Sequence, residues 1–158
     1  MTTTTVKKQF LAQEVPQLLA NLKVDTVPAF GLMTPQHMVE HLVGIAKYSM
    51  ERNGEPVSPP TEGQLWFKNY IAEGAILQHR PSDKTKEDLP ELRFVSLEEA
   101  ISKVGPAIEA FYLHYETNPG FVMYQGFCGE LSFDEAEHFM YSHIRYHLWQ
   151  FGLIEVYP

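Results

Sequence analysis

Four histidines fall into two pairs with one spacing, His37 and His41 in the first third of the chain and His143 and His147 near its end. Helix residues four apart share a face, so each pair can point two imidazoles the same way. A His-x-x-x-His pair offers two ring nitrogens to one metal ion at about 2.0–2.1 Å, and at least one more ligand must come from another element. Cys128 is the only cysteine, which excludes a thiolate cage and leaves imidazole and carboxylate as ligands. His143 and His147 share an apolar face with Ala136, Phe139, Met140, Gln150 and Ile154. His41 lies among Met38, Leu42, Ile45 and Tyr48, about two turns inside its helix, whereas His37 is in the first turn. His41 is therefore the expected third ligand. His37 is kept as a fourth ligand, a hydrogen-bond partner of the ligands or a proton carrier, and Tyr146 and Gln150 are candidate hydrogen-bond partners. His138, among Asp134, Glu135 and Glu137, is expected on the solvated surface; His79, in a charged connection, and His114, beside a stripe, are given no role.

These residues need helices to position them, and the apolar periodicity supplies four. The first runs from about Thr5 to Leu22 and should be kinked or divided by Pro16. Thr34 and Pro35 form an N-cap followed by proline at the first helical position, opening a helix to about Arg52. Ser96 to Glu99 is a capping box, with Leu97, Ile101, Val104, Ile108, Phe111 and Tyr115 behind it and a bend expected at Gly105-Pro106. Ser132 to Glu135 is a second capping box, and Gly152 should stop the helix it opens. Between the second and third helices lie a loop over Asn53 to Thr61, a shorter helix over Gln64 to Leu77 carrying Leu65, Trp66, Tyr70 and Ile71, and a charged connection from His79 to Pro90. Phe121 to Tyr124 reads as extended but has no evident partner strand. The expected fold is all-α, a four-helix bundle with a short extra helix in the long connection, forming one domain over residues 1–158.

Composition removes several function classes. Twelve Lys and Arg against twenty Asp and Glu give a net charge of −8 with no basic run, which argues against nucleic acid and anionic membrane as partners. No uninterrupted apolar run exceeds about five residues, whereas a membrane helix needs roughly 20. Met1 to Gln9 carries two lysines without the apolar stretch of a secretory signal, so a soluble, cytoplasmic protein is expected. There is neither a Gly-x-Ser-x-Gly nucleophile elbow nor a phosphate-cradling glycine motif. No lysine or arginine lies close to Cys128 in sequence to lower its thiol pKa.

Two separated segments carry a family pattern. Asp25 to Leu42, DTVPAFGLMTPQHMVEHL, and Gly126 to Leu153, GFCGELSFDEAEHFMYSHIRYHLWQFGL, resemble the first metal-histidine segment and the closing helix of DinB-like (YfiT-like) proteins, in particular a bacterial branch of unknown function. The middle segment Phe67 to Pro90 matches more loosely. The resemblance implies a four-helix bundle, often a homodimer, with a three-histidine site for zinc, nickel or another divalent ion at His41, His143 and His147. Two positions depart from the branch: Tyr146 stands where it often has a further histidine, and His37 is an added imidazole. Some relatives resemble thiol-dependent transferases or metal-dependent hydrolases.

Three neutral imidazoles leave a divalent ion its full charge and an open position. Such a site activates water to hydroxide near neutral pH or stabilises the thiolate of a small thiol cosubstrate. Zinc or nickel is the expected metal, and the expected activity is hydrolysis or group transfer on a small molecule. The alternative is a non-enzymatic helical module that binds a ligand or partner, with the metal structural or absent and Trp66, Phe67, Tyr70 and Tyr146 lining a pocket. A further possibility is histidine packing without metal, which holds if the three residues find carbonyl or carboxylate partners and which rings pointing to different places would establish.

Overall fold

A computed structural model describes residues 3–73 and 82–155. His79 and the expected end of the short extra helix, 74–77, lie outside the described residues. The described chain is mainly helical, with one two-stranded antiparallel sheet.

Pro16 accounts for the form of the first segment. A proline has no N–H to give the carbonyl four residues back and its ring crowds that carbonyl. Helix α1 (Thr3–Gln9) accordingly widens into a π-helical stretch, Phe10–Glu14, where the Val15 N–H reaches back to the Phe10 carbonyl, and α2 (Val15–Leu19) continues with Pro16 in its first turn. Helix α3 (Pro35–Tyr48) opens as expected, with the Thr34 hydroxyl accepting from the His37 N–H at 3.2 Å, and ends four residues earlier than the periodicity suggests. Helix α4 spans Glu62–Ala72. Its capping box, Thr61 with Gln64, places the start two residues before the expected one. Helix α5 (Leu97–Thr117) runs unbroken through Pro106. Helix α6 (Phe133–Gln150) begins with the Ser132–Glu135 capping box and stops at Gly152, whose φ of +72° lets the Leu153 N–H fold back 2.8 Å onto the Leu148 carbonyl.

The core lies where α3, α5 and α6 meet α1 and α2. Leu11, Leu19, Met38, Leu42, Ile45, Ile108, Phe111, Met140, Ile144 and Leu148 are buried there, each contributing about 1.5–3 kcal/mol of apolar burial. Two buried hydroxyls cross between helices: Tyr115 donates to the Ser49 carbonyl at 2.7 Å and Tyr112 to Glu137 at 2.8 Å. On α4 the expected stripe is half right. Ile71 is buried and Tyr70 half-buried, but Leu65 and Trp66 are 48% and 54% exposed, and it is Phe67, outside the stripe, that packs against the core.

The all-α expectation misses the sheet. Strand β1 (Met123–Gln125) pairs antiparallel with β2 (Gly129–Leu131), Met123 opposite Leu131 and Gln125 opposite Gly129. Tyr124 also exchanges backbone hydrogen bonds with Glu51 and Asn53, so the chain leaving α3 joins the hairpin's edge. The partner strand, Gly-Glu-Leu, is too short to show alternation and starts with a residue that strands avoid.

Candidate metal centre

Three imidazoles from two helices converge. Helix α3 carries His41 and α6 carries His143 and His147 one turn apart, and one ring nitrogen from each lies within 4.8 Å of those of the others. The Nε2 atoms of His41 and His143 are 3.1 Å apart. Ring centroids are separated by 5.0 Å for His41 and His143, 4.8 Å for His41 and His147, and 4.9 Å for His143 and His147. The three rings do not point to different places, the arrangement that would establish plain histidine packing.

The surroundings keep the three rings neutral. Burial lowers the pKa of His41 and is the main cause for the other two. For His143 the neighbouring His147 and His41 add to it and hold the ring well below the ordinary imidazole range. For His147 burial and then His41 bring the value down to about 3, against an opposing bond to Gln150. Neutral imidazole is the form that ligates metal. Two buried ring nitrogens of the cluster have no hydrogen-bond partner, Nδ1 of His143 and Nε2 of His147. A buried polar atom left unpaired costs about 1–3 kcal/mol, and a cation held among the rings removes that cost for a nitrogen that ligates it. The residues present therefore fit a divalent ion.

The remaining candidates are spread around this cluster. Gln150 touches it directly, its Oε1 lying 2.7 Å from His147 Nδ1. Tyr146 meets it as a ring, edge-on to His147 at 5.1 Å and tilted against Phe30 at 5.6 Å. His37 is not brought into the cluster. Its Nε2 donates to the Pro90 carbonyl at 3.0 Å and its Nδ1 faces the Thr34 hydroxyl at 2.7 Å, which ties the start of α3 to the long connection.

A cavity of about 850 Å³ reaches the cluster on the His41 side. Its walls are α3 (His37, Glu40, His41, Gly44), the turn Gly31–Met33, and the connection from Ser82 to Arg93. His143 and His147 stand behind His41 and are not part of those walls. Nor are Trp66, Phe67, Tyr70 and Tyr146, the aromatics expected to line a pocket.

One residue of this wall escapes sequence reasoning. Glu40, beside His41 on α3, is 6% exposed. Its carboxylate accepts from the Arg93 N–H at 2.8 Å and the Phe94 N–H at 3.0 Å, while Gln36 donates to it at 3.1 Å. Burial would raise its pKa, but the bonds from Arg93, Phe94 and Gln36 outweigh that and keep it below the ordinary carboxylate range. Apart from Gln36 one turn back, its donors are backbone groups 53 and 54 residues away, which no local pattern signals. Glu137, expected among the solvated acids around His138, is 1% exposed beneath Tyr112. His138, expected to be solvated, is half-buried with its Nε2 3.4 Å from the Ser142 hydroxyl. His114 packs edge-on to Phe121 at 4.4 Å.

Cys128 is buried, and burial pushes its thiol up to about 11. Comparison of the chain with family models, curated proteins and solved structures gave no match. Among the described residues no helix is long and apolar enough to cross a membrane.

Proposed function

We propose that this chain is a metal-dependent enzyme that hydrolyses or transfers a group of a small molecule, with His41, His143 and His147 holding one divalent ion, zinc or nickel. The observation that carries it is the buried, unpartnered Nε2 of His147 in a cluster of three neutral imidazoles. The resemblance of the Asp25–Leu42 and Gly126–Leu153 segments to DinB-like proteins supports the same ligand set, a four-helix bundle built from α1–α2, α3, α5 and α6, and a homodimer.

An ion at this cluster supplies Lewis acidity toward a substrate heteroatom, or toward the water or small thiol that attacks it. The protein's own residues do the rest. His41 is the ligand that also forms part of the cavity wall, so a small molecule meets the cluster from that side. Leu32, Met33, Leu89 and Pro90 give that cavity apolar walls that limit water. Glu40 holds Arg93 and Phe94 against α3, fixing the far wall one residue from the ligand His41. The cavity favours catalysis over a purely structural metal, because a site that only braces the fold has no use for an opening beside a ligand.

The test is elemental analysis of protein purified without a nickel column, followed by turnover assays on ester, amide and thiol-acceptor panels. About one ion per chain and turnover that a chelator abolishes are expected. A chain that takes up neither zinc nor nickel removes the basis of the proposal.

A further inference from the structure

His147 has one nitrogen aimed at the cluster and one aimed at Gln150, and the hydrogen bonds of Gln150 determine which of the two carries the proton. The Gln150 Nε2 donates to the Phe30 carbonyl at 2.9 Å. A carbonyl oxygen only accepts, so this end of the amide must be the NH2 group and the other end, Oε1, must face His147 Nδ1 at 2.7 Å. An acceptor there demands a proton on Nδ1. In a neutral ring the lone pair then sits on Nε2, the buried atom with no partner.

The turn that receives the amide is shaped for it. The Ala29 N–H donates to the Gln150 backbone carbonyl at 2.8 Å, so the turn is tied to this residue twice. Gly31 has φ +85°, and a Cβ there would lie 2.7 Å from Gln150 Nε2. The close approach therefore depends on the absence of a side chain at position 31. Gly31 and its neighbours Leu32 and Met33 form the cavity wall beside His41.

We propose that Gln150 is a positioning residue: its side-chain amide locks His147 with Nδ1 protonated and Nε2 bare toward His41 and His143, and the Phe30–Gly31 turn holds that amide in place. The inference rests on the metal reading for its consequence, but the lock itself is a property of the metal-free chain. Partners of this kind that orient a ligating histidine are worth about 10–100-fold in metal affinity.

The experiment uses the full chain and zinc alone. In metal-free protein, long-range ¹H–¹⁵N NMR should find the His147 proton on Nδ1. Zinc titration against a chromogenic chelator should show Gln150→Met weakened about 10–100-fold and Gln150→Glu, which keeps an acceptor toward Nδ1 but loses the NH2 that donates to the Phe30 carbonyl, weakened less than Gln150→Met. Gly31→Ala touches none of the three rings, yet it should weaken zinc several-fold alone and add nothing on top of Gln150→Met, the signature of two residues acting through one contact. A His147 proton on Nε2, zinc affinity of Gln150→Met within about twofold of the unsubstituted chain, or additive effects at positions 31 and 150 would overturn the proposal. If Gln150→Met does not fold, the NMR result on the unsubstituted chain decides. Failure of the unsubstituted chain to bind zinc would overturn the metal reading instead, leaving the position of the His147 proton to stand or fall by the same spectrum.

Discussion

His41 and His143 are 102 residues apart in sequence and 3.1 Å apart at their Nε2 atoms. With no cation between them, one ring must donate to the other, and the third ring's inward nitrogen, His147 Nε2, is buried without a partner. A cation accepts all three lone pairs together. Ligand that binds only the folded chain stabilises it by mass action, by about 2.7 kcal/mol at a hundredfold excess over Kd. Zinc or nickel should therefore raise the melting temperature, and a chelator should reverse the shift. A His143→Ala/His147→Ala chain should melt at the same temperature with and without zinc; a zinc-dependent rise in that variant would place the ion elsewhere.

Glu40 predicts where the cavity wall is weakest. In Glu40→Gln an NH2 group replaces the oxygen that faces the Arg93 N–H at 2.8 Å, so a donor meets a donor and the charge-assisted bonds from Arg93 and Phe94 to this side chain weaken. Stability should fall by about 1–3 kcal/mol. Hydrogen exchange at the Arg93 and Phe94 amides should quicken ahead of the rest of the chain. Unchanged protection at both amides would refute the tether.

Glu137 makes stability depend on pH. Burial is the main cause of its raised pKa, assisted by Asp134 and opposed by the Tyr112 hydroxyl from α5 and by Lys7 and Lys8 from α1. The folded chain thus holds this proton more tightly than the unfolded one. The associated stability is fully present below about pH 4.5 and is lost as pH rises through the higher folded value. Glu137→Gln keeps an acceptor for Tyr112 and carries no charge, so its advantage in melting temperature over the unsubstituted chain should be larger at pH 7.5 than at pH 4. An advantage that is the same at both would show that the carboxylate is not strained by burial.

Cys128 should be inert. Its thiol is buried with a pKa near 11 and faces the carbonyls of Gln125 and Gly129, so little thiolate exists at neutral pH. A disulfide reagent at pH 7 should leave the native chain unmodified over the time in which the denatured chain reacts to completion. Comparable rates in the two states would mean that the hairpin opens readily.

The features legible in the sequence are those set by neighbours a few residues away. Thr34, Ser96 and Ser132 cap α3, α5 and α6, because a cap bonds N–H groups two or three positions on, although the box expected at Ser96 is half formed, the Glu99 carboxylate accepting from Val95 instead. His143 and His147 fall on one face through helical spacing alone, and the apolar stripe around His41 was enough to aim it at them. The features not legible depend on partners far along the chain. Glu40 bonds backbone 53 residues away, Glu137 is covered by Tyr112 from another helix, and β2 exists only because β1, itself paired on its other side with the segment after α3, offers it an edge. His37 shares the spacing that identified the α6 pair but sits in the first turn, where Thr34 and Pro90 claim both of its nitrogens.

The most direct test is the metal itself. Elemental analysis of chain purified without a nickel column and then equilibrated with zinc should find about one ion per chain, and His41→Ala, His143→Ala and His147→Ala should each lose it while remaining helical. Zinc or nickel content well below one per chain after reconstitution, or full occupancy in any of those three variants, would contradict the three-histidine centre.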